Sequence, residues 1–519
     1  MVRYLNQRKE KPVDEQQLRQ RELLPRLDDN LAILKSLYER CSDFVLREFE
    51  YGRQEVTRGA VLYFDGLIAK PEVEQTIIKP LVSELNMMGE KGHQPSLSFD
   101  QIKTGLLSSG ELKELTTFDE VCLHISSGDT VVLFDHSSKA LMAGTRSWMG
   151  RGVNIPPNEG VIHGPKEGFC ETLRFNTALL RRRIRSTNLK MEAFQIGRIS
   201  RTDVVITYIE GKVKPELVAE VLRRLKAIEI DSVVDAAYIE ELIEDQQLTL
   251  FPQVMVTERP DRVMGNLMEG RVAIIIDGTP TVMIVPVTLS MFMTVGEDYY
   301  MRFTAAGFFR ILRFLAFTLS LLAPALYVST ITFHQEMVPT ALLVTIVNAR
   351  QAVPFPLVVE ALLMELSFEL LREAGVRLPQ AVGPAVSIVG ALVLGDAGVR
   401  AGLVSTPMVV VVAFTGICSF VIPVYSMATA IRLIRFPLLI LGSMLGYFGI
   451  ALGIITLLIH LAALESFGIP YSMPFAPLQL SSWSDTLIRR PWRAAAHRRG
   501  MMGAASNAPT LQGKGGDTQ

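Results

Sequence analysis

The sequence predicts an α/β N-terminal soluble region, made of two duplicated modules, followed by an α-helical multi-pass membrane domain. Three observations lead to this prediction. Apolar residues make up 49% of the 519 residues and are concentrated beyond Tyr300. Before Tyr300, short strand-like runs alternate with amphipathic helical segments in an order that occurs twice. Beyond Tyr300, several runs approach the ~20 apolar residues that cross a bilayer as a helix.

The N-terminal tail, residues 1–24, is charged and lacks the apolar core of a secretory signal. We therefore expect the soluble region to stay in the cytosol. The net charge of −1 gives no global field that would attract nucleic acid. The cysteines lie far apart without paired metal-ligand spacing, which indicates reduced thiols and predicts neither a metal site nor a cofactor: Cys41, Cys122, Cys170 and Cys418.

The first module, residues 25–147, is predicted from the spacing of its apolar residues and its turns. Apolar positions with a helical period begin after Asp28, which can cap a helix. A short apolar run closed by Asp65 and Gly66 is typical of a strand that ends in a turn. The predicted order is helix, strand, helix and two hairpin strands: Asp28–Glu50, Ala60–Phe64, Pro71–Leu85, Thr130–Phe134 and Lys139–Ala143.

The second module, residues 191–300, repeats the order of strand, helix and hairpin. Its elements are Val204–Ile209, Pro215–Ile228, Arg271–Ile276 and Thr281–Val285. Single residues also correspond: Tyr63, Asp65, Gly66, Gly128 and Asp135 have counterparts in Tyr208, Glu210, Gly211, Gly270 and Asp277. These matches indicate an internal duplication. The alternative is that such signals recur by chance, and the α/β class holds in either case.

Residues 148–190 are predicted to form a linker and a basic helix. Trp148–Pro165 is rich in Gly, Pro and Asn, which is typical of a loop. Phe169–Leu189 has a helical pattern and carries Arg181, Arg182, Arg183 and Arg185. A solvated helix face is the favoured interpretation, with lipid headgroups or an acidic partner as alternatives. The C-terminal residues 466–519 are Pro-rich and then basic, and are expected to be disordered.

The membrane domain, residues 301–465, contains three runs that are expected to span the bilayer: Phe314–Phe333, Pro407–Ala430 and Pro437–Leu464. A fourth run, Pro379–Leu394, is interrupted by Gly and Pro and is expected to cross, re-enter or break. Basic residues precede the first and last spans and favour the cytosolic side there: Arg310, Arg313, Arg432 and Arg435. The pattern predicts four to six spans and a cytosolic N-terminus.

Phe355–Leu371 is an apolar run that contains three glutamates, and these glutamates are the candidate ion path. On a helix, Glu365, Glu369 and Arg372 share one face, while Glu360 points away from them. Carboxylates are costly in hydrocarbon unless they are paired or hydrated, so this helix faces protein or water. It either lines an ion path or lies at the interface, with its carboxylates in water or paired with Arg372 or Arg377.

Four glycines share one stripe of the predicted last helix. Gly442, Gly446, Gly449 and Gly453 follow at spacings of four, three and four residues. Small residues in this pattern let helices approach closely in a membrane. The stripe therefore predicts tight helix packing, either in a bundle or in a homo-oligomer.

The sequence does not predict an enzyme. Its seven histidines are scattered, and it contains neither a Gly-x-Ser-x-Gly elbow nor a His-Glu-x-x-His helix. Its Gly-rich stretches lack the Lys of a phosphate-binding loop. The duplication lies in the soluble part and not in two membrane halves, which disfavours a self-sufficient transporter.

Several stretches resemble the A subunits of GerA-type spore germinant receptors. They are Arg350–Pro356, Glu360–Arg377 and the SIVGALVLG run from Ser387 to Gly395, together with TERPD (257–261), GRVAIIIDGTP (270–280), EGFCETLRFNTALLRRRI (167–184) and SFGIPY (466–471). The resemblance covers most of the chain from Asp43 to Pro477. It departs from the family pattern at Pro384, Asp396 and Arg400, which alters the charge near that helix end.

This resemblance implies a multi-pass protein of the endospore inner membrane. It implies partnership with a transporter-like B subunit and a lipoprotein C subunit, and release of ions in response to small nutrients. In this family the nutrient pocket is placed mainly in the B subunit, so the resemblance assigns no residue of this chain to ligand binding. The family also contains a stage V sporulation relative, which implies the alternatives of an accessory channel or a non-conducting scaffold.

Overall fold

The computed structural model describes residues 21–51, 57–81, 99, 111–146, 156, 159–377, 390, 395–478, 486–489 and 491. The chain divides into two compact units. The first comprises Met1–Glu244, Val254–Pro286 and Ala496–Gln519, and the second comprises Asp245–Gln253 and Val287–Ala495. Four predicted segments fall largely outside the described residues: the tail up to residue 20, the loop Trp148–Pro165, the run Pro379–Leu394 and most of the C-terminal tail beyond residue 478.

The first sheet belongs to the first predicted module. Its elements are α1 (Leu27–Leu37), β1 (Phe44–Tyr51), β2 (Thr57–Phe64), α2 (Lys70–Val73, continued by a π-helical turn Glu74–Ile78), β3 (Leu112–Leu115), α3 (Phe118–Ser126), β4 (Thr130–Phe134) and β5 (Ala140–Ala143). The strand order is β1-β2-β4-β5-β3, with antiparallel pairing throughout. The predicted hairpin of β4 and β5 is confirmed.

Both faces of the first sheet are covered. Because side chains alternate along a strand, Leu62 and Leu133 face the core formed with α1 and α3. Val61 and Val132, their neighbours, face a second core formed with α2. The near-continuous apolar runs of β2 and β4 follow from this burial on both sides.

The second sheet has the same strand order as the first, β6-β7-β9-β10-β8. Its elements are α4 (Leu173–Arg183), β6 (Leu189–Ile196), β7 (Thr202–Ile209), α5 (Pro215–Lys226), α6 (Ala236–Ile243), β8 (Met255–Thr257), α7 (Pro260–Met268), β9 (Val272–Ile276) and β10 (Val282–Val285). The shared order supports the internal duplication, and the α/β class is confirmed.

Matching contacts at the start of α1 and α4 extend the duplication to single atoms. Asp135 Oδ1 accepts the Leu27 N–H at 3.0 Å, and Asp277 Oδ1 accepts the Leu173 N–H at 2.9 Å. These amides open their helices, so each carboxylate satisfies an N–H that has no intrahelical partner. The paired turn glycines have matching positive φ angles: Gly66 (89°) and Gly211 (81°), Gly128 (93°) and Gly270 (87°).

Two helices were predicted too long. The segment Asp28–Glu50 is helical only to Leu37, because Phe44–Tyr51 pairs with β2 as an edge strand. Likewise Phe169–Leu189 is helical only over Leu173–Arg183, and strand β6 begins at Leu189. The stretch assigned to a linker and basic helix, 148–190, therefore contains the first helix of the second module.

The arginines of α4 are not a solvated face. Arg181 is 1% exposed and donates to Asp43 Oδ2 at 2.7 Å and Asp43 Oδ1 at 2.8 Å. Its guanidinium also donates to the Leu189 carbonyl and lies 4.1 Å from the centroid of the Phe64 ring. Since Asp43 and Phe64 belong to the first module, Arg181 fastens the two modules together. Arg182 and Arg183, half-buried, both pair with Glu167.

The second unit is helical. Its elements are α8 (Leu289–Met293), α9 (Phe303–Phe333), α10 (Thr340–Arg350), α11 (Leu357–Arg377), α12 (Gly398–Arg400), α13 (Thr406–Phe420), α14 (Tyr425–Ala463) and the strands β11 (Glu465–Ser466) and β12 (Ile469–Pro470). Among the described residues, α9 and α14 are long and apolar enough to cross a membrane. The predicted span Pro407–Ala430 is wrong as one helix, because the chain leaves the helix between Phe420 and Tyr425.

Helix α14 folds back on itself at Gly446, which has φ 64° and ψ −145°. A Cβ built on Gly453 would lie 2.4 Å from the side chain of Leu438. Residues fifteen apart on a straight helix would be about 22 Å apart, so the two halves of α14 run side by side as a hairpin. The predicted single span Pro437–Leu464 is therefore divided.

The first part of the predicted disordered tail is packed instead. The two-residue strands β11 and β12 pair, and the side chain of Tyr471 is fully buried beside Phe292, with ring centroids 6.1 Å apart. The Tyr471 carbonyl accepts the Leu289 N–H at 2.8 Å. Burial of the Tyr471 side chain offsets the conformational entropy that this segment loses when it is ordered, which composition alone did not indicate.

Candidate functional site

Five charged side chains, here termed the acid–base cluster, meet between α11 and the first half of α14. Helix α11 supplies Glu365, Glu369 and Arg372, and α14 supplies Arg432 and Arg435. Glu365 Oε2 lies 2.8 Å from Arg435 Nη2, and Glu369 pairs with Arg432. The ladder of pairs shows that the two helices run antiparallel here, since the later carboxylate meets the earlier arginine.

The Glu365–Arg435 pair is buried but incompletely hydrogen-bonded. Each of the two side chains is 1% exposed. Within the described residues, both carboxylate oxygens of Glu365 and all three guanidinium nitrogens of Arg435 lack a hydrogen-bond partner of good geometry. Coulomb attraction in a low-dielectric interior therefore holds this pair with little directional restraint. A polar network of this kind is one that can rearrange.

Arg372 plays a different part from the one that helical spacing indicated. Its guanidinium lies 4.7 Å from the centroid of the Phe420 ring, while the carboxylates take their arginines from α14. Arg377 pairs with Glu373 at 2.6 Å on an exposed surface. The alternative that Glu365 and Glu369 lie in water or pair with Arg372 or Arg377 is therefore replaced by pairing between helices.

Glu360 lies apart from the acid–base cluster. Its side chain is fully buried, and its Oε1 accepts the Ser405 N–H at 2.6 Å and the Ser405 hydroxyl. Its Oε2 lies 3.5 Å from Arg350 Nε. Because Ser405 precedes the first residue of α13, the Glu360 carboxylate sits at the positive end of that helix and fastens α11 to it.

The arginines used to infer membrane orientation are engaged in buried pairs. Arg310 Nε and Arg313 Nη1 donate to Asp298 Oδ2 at 3.0 Å and 2.9 Å. Arg432 and Arg435 belong to the acid–base cluster. Their positions are explained by these carboxylate partners, so they no longer argue for a cytosolic side. The sequence signal for the cluster was available: two arginines three residues apart in one apolar run, and two glutamates four apart in another.

The glycine stripe packs α14 against itself. Gly446 forms the turn, while a Cβ on Gly449 would lie 2.2 Å from the Leu441 carbonyl oxygen and one on Gly442 would lie 3.1 Å from Ile450. Gly453 faces Leu438 across the hairpin. Absence of side chains at these positions allows the close approach that small residues were expected to provide. The contact is within one chain.

Comparison with known proteins places this architecture in a family. The model of the family described as "Bacillus/Clostridium GerA spore germination protein" matches residues 32–501. The chain belongs to the GerA family. Spore germination protein KA of Bacillus subtilis (strain 168) is 44% identical over 485 residues, covering 93% of this chain and 88% of that protein. The uncharacterized membrane protein YfkQ of the same organism is 42% identical over 480 residues, covering 92% of each chain.

Two further similarities accompany these. Spore germination protein A1 of Bacillus subtilis (strain 168) is 36% identical over 477 residues, covering 91% of this chain and 96% of that protein. The crystal structure of the N-terminal domain of the A subunit of the Bacillus megaterium spore germinant receptor GerK3 covers 51% of this chain and 96% of that chain, with 32% identity and a TM-score of 0.39. The GerA match spans both units and includes α11 and α14, which form the acid–base cluster.

Proposed function

We propose that this GerA-family chain is the A subunit of a nutrient germinant receptor in the endospore inner membrane. Membership of the family and relatives named as spore germination proteins support the proposal. Helix α9 and the apolar hairpin α14, which by length and composition fit membrane-crossing segments, support the membrane location, as does a 42% identical relative named as a membrane protein. The partners are a transporter-like B subunit and a lipoprotein C subunit.

The single observation that carries the proposed mechanism is the incompletely hydrogen-bonded Glu365–Arg435 pair. In the described arrangement it closes α11 onto α14. Separation of the two pairs would expose two carboxylates and two guanidinium groups, and charged groups inside a membrane domain recruit water and ions. Nutrient binding elsewhere in the receptor then favours the separated arrangement, and ions are released. Few hydrogen bonds are broken when the Glu365–Arg435 pair separates.

An oligomer completes the proposal. The face of α11 away from Glu365 carries four exposed apolar side chains at spacings of four, three and four: Val359, Leu363, Leu366 and Leu370. This is the spacing of a helix-pairing seam. Since the glycine stripe is occupied within the chain, the α11 seam is the surface we assign to contact with a second copy. Disulfide cross-linking of a Leu370→Cys variant, with Leu458→Cys on α14 as control, tests this assignment.

Conductance of purified protein in liposomes tests the mechanism. Glu365→Gln together with Arg435→Gln removes both charges of the pair and leaves no unpaired ion. We expect this double variant to insert and accumulate like the parent and to pass ions without a trigger, because the closing attraction is gone. Arg377→Gln on the exposed end of α11 is the matched control and should behave like the parent. Parent-like conductance of the double variant would remove the cluster from the ion path.

A non-conducting scaffold is the second candidate, and one observation favours it. Each carboxylate once assigned to a cation path is neutralised by an arginine of the same chain, and the five-residue cluster carries one surplus positive charge. Such a cluster repels cations unless it rearranges. Absence of current from the parent and from the double variant, with both inserted, favours the scaffold.

A further inference from the structure

An apolar groove of about 400 Å³ lies between the two halves of α14 and the loop Leu248–Phe251. Pro437 and Leu441 line it from the first half of the hairpin, and Gly453 and Leu457 line it from the second. Its volume lies within the ~300–1,000 Å³ of small-molecule sites. Neither the hairpin packing nor the acid–base cluster uses this space.

The loop that forms the third wall is held in a fixed shape. The Gln253 side chain accepts the N–H groups of Asp245 and Gln246 at 3.1 Å each and donates to the Gln246 carbonyl at 2.6 Å. Asp245 Oδ2 accepts the Phe467 N–H at 2.7 Å. These bonds hold Leu248 fully exposed and Leu250 half exposed. A braced loop that presents leucines outward is suited to an apolar surrounding.

One end of the groove is polar. Thr249 Oγ1 and His460 Nε2 form a hydrogen bond of 2.8 Å, and both residues line the groove. Outside the groove, the second half of α14 continues as an apolar exposed surface at Ile455, Leu458 and Ile459. The site therefore combines a long apolar wall with a single polar end, which is the pattern that an amphiphile fits.

We propose that this groove holds one acyl chain of a bilayer lipid, with the polar end of the lipid toward Thr249 and His460. Water is a poor occupant because the wall between Pro437 and Leu457 offers it too few polar partners. The groove opens beside exposed apolar residues of a helix that is apolar enough to span a membrane, so lipid hydrocarbon is what lies nearest. This inference rests on the membrane location in the proposed function.

Native mass spectrometry of the full chain, purified from a phosphatidylglycerol-containing membrane in mild detergent, tests the proposal by counting retained lipids. Leu457→Trp fills the groove, and Leu458→Trp, one position on and outside it, is the matched control. We expect the parent and Leu458→Trp to retain one lipid per chain. Leu457→Trp should retain roughly tenfold less, because exclusion of a few methylene groups is enough for that loss.

Thr456→Trp, a second groove-filling variant, replaces Leu457→Trp if the latter does not accumulate. Equal lipid retention by the filled and control variants overturns the proposal, as does a parent that retains no lipid or only detergent. Flotation of the parent with vesicles separates the two levels of inference. If the parent floats with vesicles but retains no lipid, only the proposal about the groove is rejected. If the parent does not float, the proposed membrane location is rejected as well.

Discussion

A buried arginine–carboxylate pair in the first unit, Arg181–Asp43, and one in the second, Arg435–Glu365, are built differently. Arg181 and Asp43, in the first unit, share two hydrogen bonds of 2.7 and 2.8 Å, with a backbone carbonyl and an aromatic ring completing the arginine's surroundings. Arg435 Nη2 and Glu365 Oε2, in the second unit, lie 2.8 Å apart, but neither side chain has a hydrogen-bond partner of good geometry among the described residues. A saturated pair fixes structure, while an unsaturated pair can be exchanged for another arrangement.

The largest effect should follow from breaking the saturated pair. Arg181→Ala leaves the Asp43 carboxylate buried without its partner, which costs about 3–5 kcal/mol of unfolding free energy. Pulse proteolysis of the full chain in detergent measures this as the urea concentration at which the soluble region becomes cleavable. Arg182→Ala, next to it on a half-buried pair with Glu167, is the control and should cost under ~1 kcal/mol. Equal losses would contradict the role assigned to Arg181.

The unsaturated pair should cost less to break. Glu365→Gln removes one buried charge but few hydrogen bonds, so we expect a loss of about 2–3 kcal/mol. In the single variant Arg435 would stay buried without its carboxylate partner. Adding Arg435→Gln should restore most of the loss, and a double-mutant cycle in the same proteolysis assay measures the coupling. Simple additivity would show that the two charges do not interact.

Much of the first unit was predictable because its signals are local. The hairpin strands Thr130–Phe134 and Ala140–Ala143 are short apolar runs around a polar turn. The positions of Gly66 and Gly211 indicate that the two modules have corresponding turns. The edge strand Phe44–Tyr51 was mistaken for helix, since its apolar residues satisfy a helical period as well, and only pairing with Thr57–Phe64 decides between them.

The candidate site was predictable only in half. Spacing identified Glu365 and Glu369 as one helix face, but it could not supply Arg432 and Arg435, which arrive from a helix more than sixty residues later. The glycine pattern indicated close packing without revealing the partner. Gly446 takes a backbone conformation that breaks the helix, and no period in the sequence distinguishes a turn glycine from a packing glycine.

A substitution at Gly446, in the turn of the α14 hairpin, should have an intermediate effect on the unfolding free energy. Gly446→Ala places a Cβ in a conformation that is nearly exclusive to glycine and within 3.0 Å of His334 Nε2, so we expect a loss of about 1–3 kcal/mol. Gly375→Ala, in α11, meets no described atom beyond its chain neighbours and its own helix backbone within 4 Å of the new Cβ, and should instead gain up to ~1 kcal/mol through helix propensity. Thermal unfolding of both variants in one detergent separates the two signs. A neutral Gly446→Ala would argue for a continuous α14.

The smallest effect concerns Glu240, a carboxylate that has no arginine partner among the residues that the structure describes. Burial, with Glu244 and Asp235 nearby, raises the pKa of Glu240 from 4.5 to about 7. The folded chain therefore binds more protons than the unfolded chain between these values, and the contribution of Glu240 to stability falls as pH rises from 4.5 to 7. Glu240→Gln removes this titration.

We expect Glu240→Gln to raise stability above pH 7, to change it little below pH 4.5 and to flatten the slope between. Glu220→Gln is the control of opposite sign. Hydrogen bonds from Arg223 and Arg224 lower the pKa of Glu220 to about 2, so its stabilisation is present above pH 4.5 and is lost as pH falls toward 2. Urea unfolding at pH 5 and pH 8, followed by proteolysis, measures the slope that Glu240→Gln removes. Because the Glu220 titration lies below pH 4.5, Glu220→Gln should lower the stability equally at the two pH values. If Glu240→Gln changes the unfolding free energy equally at pH 5 and at pH 8, Glu240 is charged throughout this range. The contrast between paired and unpaired carboxylates would then not hold for Glu240.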